Sequence, residues 1–315
     1  MDFSKNKYIL LYILLCFLIA ASGFWAFISV RHALDLGPDS PPSEEQVFKY
    51  EPRPPLPKEL EGLKQALPPT EYPAGMLDKY KEIYAINKDV IGWIKIKGTS
   101  IDTLITQHSN NNYYLRTGFY KKYNRYGNAY LDYRAGVENL SQNSVIYGHS
   151  GRDETQVFSV LFDYLDYDFY INNPIIEFGT IYKDYKWKIF SVFISSVEKK
   201  DDKGYFFYYI NPTIKPEKFP GFIDQIKQYS RFYTELDLKE DDKLLQLSTC
   251  IYMNDLPGRR VNSRLVVVAK LMEEGESEEI DPSLVLDNPN FRRPQVWYNH
   301  YKQKNPYANS PNWQR

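Results

Sequence analysis

The strongest constraint on this chain is a run of 23 residues, 8–30, that contains no charged side chain. Leu, Ile, Phe, Ala and Val fill most of it. As a helix it would reach about 35 Å, enough to cross a hydrocarbon core of roughly 30 Å. Lys5 and Lys7 precede the run and Arg31 follows it, before acids accumulate at Asp35, Asp39, Glu44 and Glu45. The positive-inside rule then predicts one membrane span with the N-terminus inside and everything after it outside. The small residues 20–23 would also suit a cleaved signal peptide. The apolar run continues through Phe24, Trp25, Phe27 and Ile28, however, past the roughly 7–15 residues of a secretory core. Either way the rest of the chain is exported.

Beyond the run the chain divides by composition. Residues 38–73 hold ten of the 20 prolines, separated by Glu, Ser and Lys. Such a segment cannot build a core and reads as an extended, semi-rigid spacer. No proline then occurs between 74 and 173, so a folded domain is expected to begin near Gly75. Five expected regions result: a cytoplasmic N-terminus (1–7), a transmembrane anchor (8–30), a Pro-rich linker (31–75), a catalytic domain (76–272) and a C-terminal extension (273–315). The extension opens on Glu273, Glu274, Glu276, Glu278 and Glu279 and continues with scattered Pro and Asn, so it is expected to be poorly ordered. Its Trp297, Tyr298, Tyr301, Tyr307 and Trp313 leave open a segment that docks through its aromatics.

Within 76–272 the pattern is mainly β. Residues 76–87 place Leu77, Tyr80, Ile83 and Tyr84 on one helical face. Two β-branched runs, 90–96 and 101–107, flank Lys97-Gly98-Thr99-Ser100, a hairpin signal. Further strands are predicted at 129–132, 144–147, 175–178, 186–195, 243–249 and 264–271, making eight short strands, the pattern of a sandwich or barrel. Helices are predicted at 155–165 and 220–236, the second carrying Phe222, Ile226 and Tyr229 at helical spacing.

Composition narrows the chemistry. Lys and Arg total 39 against 40 Asp and Glu, which excludes a generally basic nucleic-acid binder. Two cysteines exclude a disulfide scaffold and a four-cysteine zinc site, and four dispersed histidines show no metal-ligand spacing, so no transition-metal site is expected. Cys16 falls inside the predicted span, leaving Cys250 as a lone exported thiol. Such a thiol is either a small buried hydrophobe or a reactive group.

Two strand ends favour reactivity. Asn143-Ser-Val-Ile-Tyr-Gly-His149 is a β-run ending in Gly-His, and Leu245-Gln-Leu-Ser-Thr-Cys250 is one ending in Thr-Cys. Arg264-Leu-Val-Val-Val-Ala-Lys270 begins a third strand with a guanidinium. Cys, His and Arg at separate strand ends suit acyl transfer, with a thiolate to attack a carbonyl, an imidazole to move protons and a fixed cation to steady the oxyanion. Singly, each is also an ordinary loop or strand residue, and Arg259 and Arg260 compete for the role of Arg264.

The three segments, IYGH, LSTC and RLVVVAK, resemble those of the sortases, membrane-anchored cysteine transpeptidases of Gram-positive bacteria, and occur in the family's order. GWIKIKGTSIDTLITQ and NNYYL extend the resemblance over most of 76–271. A helix before the first strand and a long helix between the sixth and seventh make it closest to class B. The resemblance implies an eight-stranded sortase β-barrel with Cys250 as nucleophile, His149 as general acid and base, and Arg264 holding substrate and oxyanion. Thr249 and Ser248, just before the nucleophile, are candidates to line the substrate groove, with plain strand packing as the alternative. It further implies no cofactor, protein substrates with a C-terminal sorting motif cut at a Thr–Gly or Thr–Asn type bond, and an amine acceptor from a peptidoglycan cross-bridge or a pilin. Location is expected at the cell membrane, single-pass with the catalytic domain outside. Free Cys and His titrate near about 8.5 and 6.5, so a thiolate–imidazolium pair implies a bell-shaped pH–rate profile. An acid just after the nucleophile, present in some class B members, is missing: Ile251 and Tyr252 follow, and the nearest acid is Asp255. His108 reads as a surface residue. A secreted cysteine hydrolase and a non-catalytic exported β-domain (an adhesin or assembly scaffold) are the alternatives.

Overall fold

The structure is a computed structural model that describes residues 71–151, 157–203, 207–234, 236, 238–253 and 261–309. The expected cytoplasmic N-terminus, membrane span and nearly all of the linker lie outside the described residues, as do Asp255, Arg259, Arg260 and Trp313. Among the described residues no helix is long and apolar enough to cross a membrane.

Eight strands close into a barrel: β1 (Val90–Lys95), β2 (Asp102–Thr106), β3 (Tyr130–Leu131), β4 (Asn143–Tyr147), β5 (Ile175–Thr180), β6 (Lys186–Ser196), β8 (Leu244–Met253) and β9 (Val261–Leu271). Their order around the barrel is β1-β2-β3-β4-β8-β9-β6-β5. Each corresponds to one of the eight predicted strands. Closure removes the open edges that would otherwise invite pairing with another chain. The β1–β2 turn forms as the sequence suggests. Gly98 takes φ +79°, and Ile96 N–H bonds Ile101 O at 2.9 Å.

Period-two alternation explains why β9 is apolar from Leu265 to Ala269. Leu265, Val267 and Ala269 face the barrel interior with Trp187, Ile146 and Leu247. Val266 and Val268 face outward, into a second core with Phe193, Phe207, Phe222 and Ile226. A strand buried on both faces has no polar side to show. The second core is built by the insertion between β6 and β8, whose main element is α3 (Phe219–Tyr229). Phe219, Phe222, Ile223, Ile226 and Tyr229 recur at helical spacing and are all buried. Two shorter helices, α1 (Lys81–Ile86) and α2 (Tyr167–Asn172), precede β1 and β5.

Three expectations are corrected. The helix predicted over 220–236 ends at Tyr229, and the chain continues as β7 (Phe232–Thr234), paired antiparallel with β10 (Val285–Asp287). Aromatic and β-branched side chains suit that strand. Of the helix predicted over 155–165, residues 159–165 form a 3-10 helix, Ser159–Leu165; 155 and 156 lie outside the described residues. Finally, the extension after Leu271 is not poorly ordered over 273–309. It carries β10 and α4 (Gln295–His300), buries Val285, Asn288, Arg292 and Tyr298, and bonds the insertion through backbone and side chains. Acidic composition suggested a solvated tail, but Glu273, Glu276 and Glu278 pair with lysines instead. Lys188 meets Glu276 at 3.2 Å, and Lys186 meets Glu278.

Candidate active site

β4 and β8 run parallel, with Ile146 opposite Leu247 and Tyr147 opposite Ser248. Continuing that register by two residues brings His149 beside Cys250. Parallel partners share a face, so one backbone pairing sets both reactive groups at one barrel end.

Bonds beyond the ladder hold this end in place. Gly148 N–H reaches Ser248 O at 3.3 Å, Thr249 Oγ1 donates to Gly148 O at 2.8 Å, and Ser150 Oγ donates to Cys250 O at 2.7 Å. The glycine before His149 is required by packing: a Cβ there would sit 2.5 Å from the Phe158 ring. Phe158 N–H in turn donates to His149 O at 3.1 Å. His149 Nε2 lies 2.9 Å from Leu115 O, and a carbonyl can only accept, so that nitrogen carries a proton. Cys250 is a free, half-buried thiol.

Arg264 stands on β9, next to β8 in the barrel and opposite Ser195 of β6. Its Nη1 donates to Asn262 Oδ1 and Ser263 O, both at 2.9 Å, which fixes the plane of the guanidinium; among the described residues its other edge is left for a ligand. Tyr130, on β3, lies within electrostatic range of both Cys250 and Arg264, and so does the fully enclosed Tyr209 of the insertion. Burial, and secondarily the neighbouring Cys250, raises the Tyr130 hydroxyl; burial is also the main cause for Tyr209. Both remain neutral hydrogen-bonding groups.

Thr249 and Ser248, candidates for the groove, do not line one. They are 2% and 1% exposed, with the Thr249 hydroxyl spent on Gly148 O and Ser248 Oγ 3.0 Å from Tyr209 OH. They pin the Cys250 strand. His108 is half-buried and stacks on Tyr113 with centroids 4.1 Å apart. Among the described residues no cluster of His, Cys, Asp or Glu could hold a metal.

Sequence reasoning missed a buried ion pair behind the site. Asp132, 2% exposed, accepts from Arg134 Nε and Nη2 at 2.8 Å each, and from Asn111 and Tyr147 OH at 3.0 Å. Burial alone would push this carboxyl up, but the bonds from Arg134 and Asn111 outweigh it and hold it below its ordinary value. Asp-Tyr-Arg directly after a strand was the available signal. On the other side of His149 opens a cleft of about 1340 Å³, lined by the 116–128 loop, with Arg116, Lys122 and Arg125 among Tyr120, Tyr123 and Tyr126.

A closed eight-stranded barrel presenting a free thiol, an imidazole and a guanidinium at one end has the groups of a cysteine acyltransferase. Comparison with known proteins makes the assignment specific. The Sortase domain family model matches residues 94–272, and the chain belongs to the sortase family, as a class B-like cysteine transpeptidase. Sortase B of Staphylococcus aureus is 32% identical over 196 residues, covering 62% of this chain and 75% of that protein. Sortase B of Listeria monocytogenes is 32% identical over 197 residues, covering 62% and 74%. The solved Staphylococcus aureus sortase B–substrate complex superposes with a TM-score of 0.56 at 29% identity, covering 69% of this chain and 94% of that one.

Proposed function

We propose that the chain is held in the cell membrane of a Gram-positive bacterium by residues 8–30. Its barrel then works outside, cutting protein substrates at a C-terminal sorting signal and passing them to an amine of the cell wall or of a pilin subunit. The bond cut is of the Thr–Gly or Thr–Asn type. The observation that carries the reading is the parallel β4–β8 register, which sets a half-buried thiol beside an imidazole while the neighbouring polar groups are bonded to the protein. Further support comes from relatives: one solved likeness is a sortase B–substrate complex, and another is sortase B complexed with triglycine, at 31% identity and a TM-score of 0.54.

The chemistry follows from the groups. The Cys250 thiolate adds to the threonine carbonyl carbon, and the oxygen's new charge is met by the Arg264 guanidinium. The C–N bond breaks as His149 gives a proton to the departing amine, leaving a thioester on Cys250. An incoming amine adds to that thioester, His149 takes its proton, and the thiolate departs as the new amide forms. Protons and electrons balance over the cycle, and no cofactor enters.

The test is incubation of the full chain with a sorting-peptide library, with and without triglycine or a pilin lysine peptide. Ligation is expected. Cleavage without ligation would make the protein a hydrolase, and no Cys250-dependent change would make it a scaffold. External protease should reach the barrel on intact cells; full protection there would overturn the proposed orientation.

A further inference from the structure

The family match ends at residue 272, yet residues 273–309 are folded against the insertion between β6 and β8. Besides the β7–β10 pairing, the bonds joining the two segments include Arg292 N–H to Gln228 O at 2.8 Å, Asn288 Nδ2 to Ser230 O at 2.9 Å, and Gln295 N–H to Asp202 Oδ1 at 2.8 Å. At the centre Arg292 Nη2 lies 3.7 Å from Asp202 Oδ2, the two side chains 4% and 7% exposed. Two charges taken from water at such cost are not explained by stability alone, since an apolar pair of the same volume often serves as well.

The contacts continue inward. The Arg292 guanidinium sits 5.1 Å above the Tyr229 ring, and Tyr229 stacks on Phe207 at 5.6 Å with planes 6° apart. Phe207 packs on Tyr209 at 6.3 Å, and Tyr209 OH meets Ser248 Oγ at 3.0 Å, two residues before Cys250. Asn143 of β4 also binds this segment, donating to Tyr209 O at 2.7 Å and Asn211 O at 2.8 Å. The insertion is thus tied to both strands that end in the reactive residues, and the extension grips the insertion from outside.

We infer that the C-terminal extension is a brace for the catalytic strands, with Arg292 as a positioning residue that acts on Cys250 through Tyr229, Phe207 and Tyr209. Arg292 touches no reacting atom. Its effect is to keep the Tyr209–Ser248 bond, and so the pitch of the Cys250 strand, in one arrangement. The inference rests on the transpeptidase reading for its kinetic arm only.

Adjacency along such a path is not coupling, so the test is a double-mutant cycle in the full chain. Arg292→Met, Tyr209→Phe and the double variant are compared by ligation kcat/KM and by the rate of Cys250 alkylation with iodoacetamide, at a temperature where all are folded. Each single variant should lower both by about three- to tenfold. The double variant should be no slower than the slower single one. Arg292→Lys, which keeps a cation for Asp202 but not a planar group over Tyr229, should recover part of the loss; it replaces Arg292→Met in the cycle should that variant not fold. Losses that multiply in the double variant, or a fall in melting temperature with both rates unchanged, would overturn the brace. If the wild-type chain ligates nothing, the transpeptidase reading fails, while alkylation still decides the brace.

Discussion

The barrel end that carries Cys250 and the outer face gripped by the C-terminal extension both take polar side chains out of water, but they use them differently. On the outer face the charge of Arg292 is matched by Asp202, and the backbone carbonyls of Gln228 and Ser230 are bonded in turn. At the barrel end the bonded groups are the neighbours, Ser150, Thr249, Ser248 and Gly148, while Cys250 stays half-buried and Arg264 keeps one edge open among the described residues. Polar burial with the charge matched makes a joint. The same burial around a free, half-buried thiol makes a site, because the bonded neighbours hold the strand that carries it.

That contrast can be broken at four points. His149→Ala removes the proton carrier and should slow ligation by about 10²–10⁴-fold while leaving the melting temperature within a few degrees; a rate within threefold of wild type would move the acid–base role elsewhere. Asp132→Asn strikes a fully paired charge and should cost about 3 kcal/mol of stability at neutral pH. Because the folded carboxyl is held below its ordinary value, its contribution is present above about pH 4 and is lost as pH falls through the folded value. Stability of Asp132→Asn should therefore fall less steeply below pH 4 than that of wild type, as read by urea unfolding across pH; parallel curves would contradict the pairing. Arg264→Lys should lose on the order of a hundredfold in turnover, about 2.7 kcal/mol, since an ammonium cannot hold Asn262 and Ser263 O and still present a fork. Near-normal turnover would pass the role to Arg259 or Arg260. Ser150→Ala deletes one bond to Cys250 O and should cost about 1 kcal/mol of stability, with a few-fold drop in rate. No loss in either would remove Ser150 from the pinning set.

The barrel was legible in the sequence because its strands are short, apolar and separated by turn residues. β9 is a case in point, apolar at 265–269 since both of its faces are covered. The reactive trio was legible because each member lies in or just beyond an apolar β-run, although β8 continues to Met253 past Cys250 and β9 begins at Val261 before Arg264. Long-range polar pairing was not. Nothing local in Asp202 announces a partner 90 residues later in Arg292, and the Glu-rich opening of the extension imitates a solvated tail until Lys186 and Lys188 meet it. Ser248 and Thr249 misled for the same reason. Hydroxyls beside a nucleophile suit a substrate groove equally well, and only the position of Tyr209 and Gly148 shows them already bonded.

The central claim is that Cys250 carries the acyl group of a sorting peptide between donor and acceptor. Mass spectrometry of the full chain, quenched in acid after mixing with a cleavable sorting peptide and no amine, tests it directly. A thioester adduct confined to Cys250, discharged on adding triglycine and absent from Cys250→Ala, is the expected result. Ligation by Cys250→Ala, or product formation through an adduct on any other residue, would contradict it.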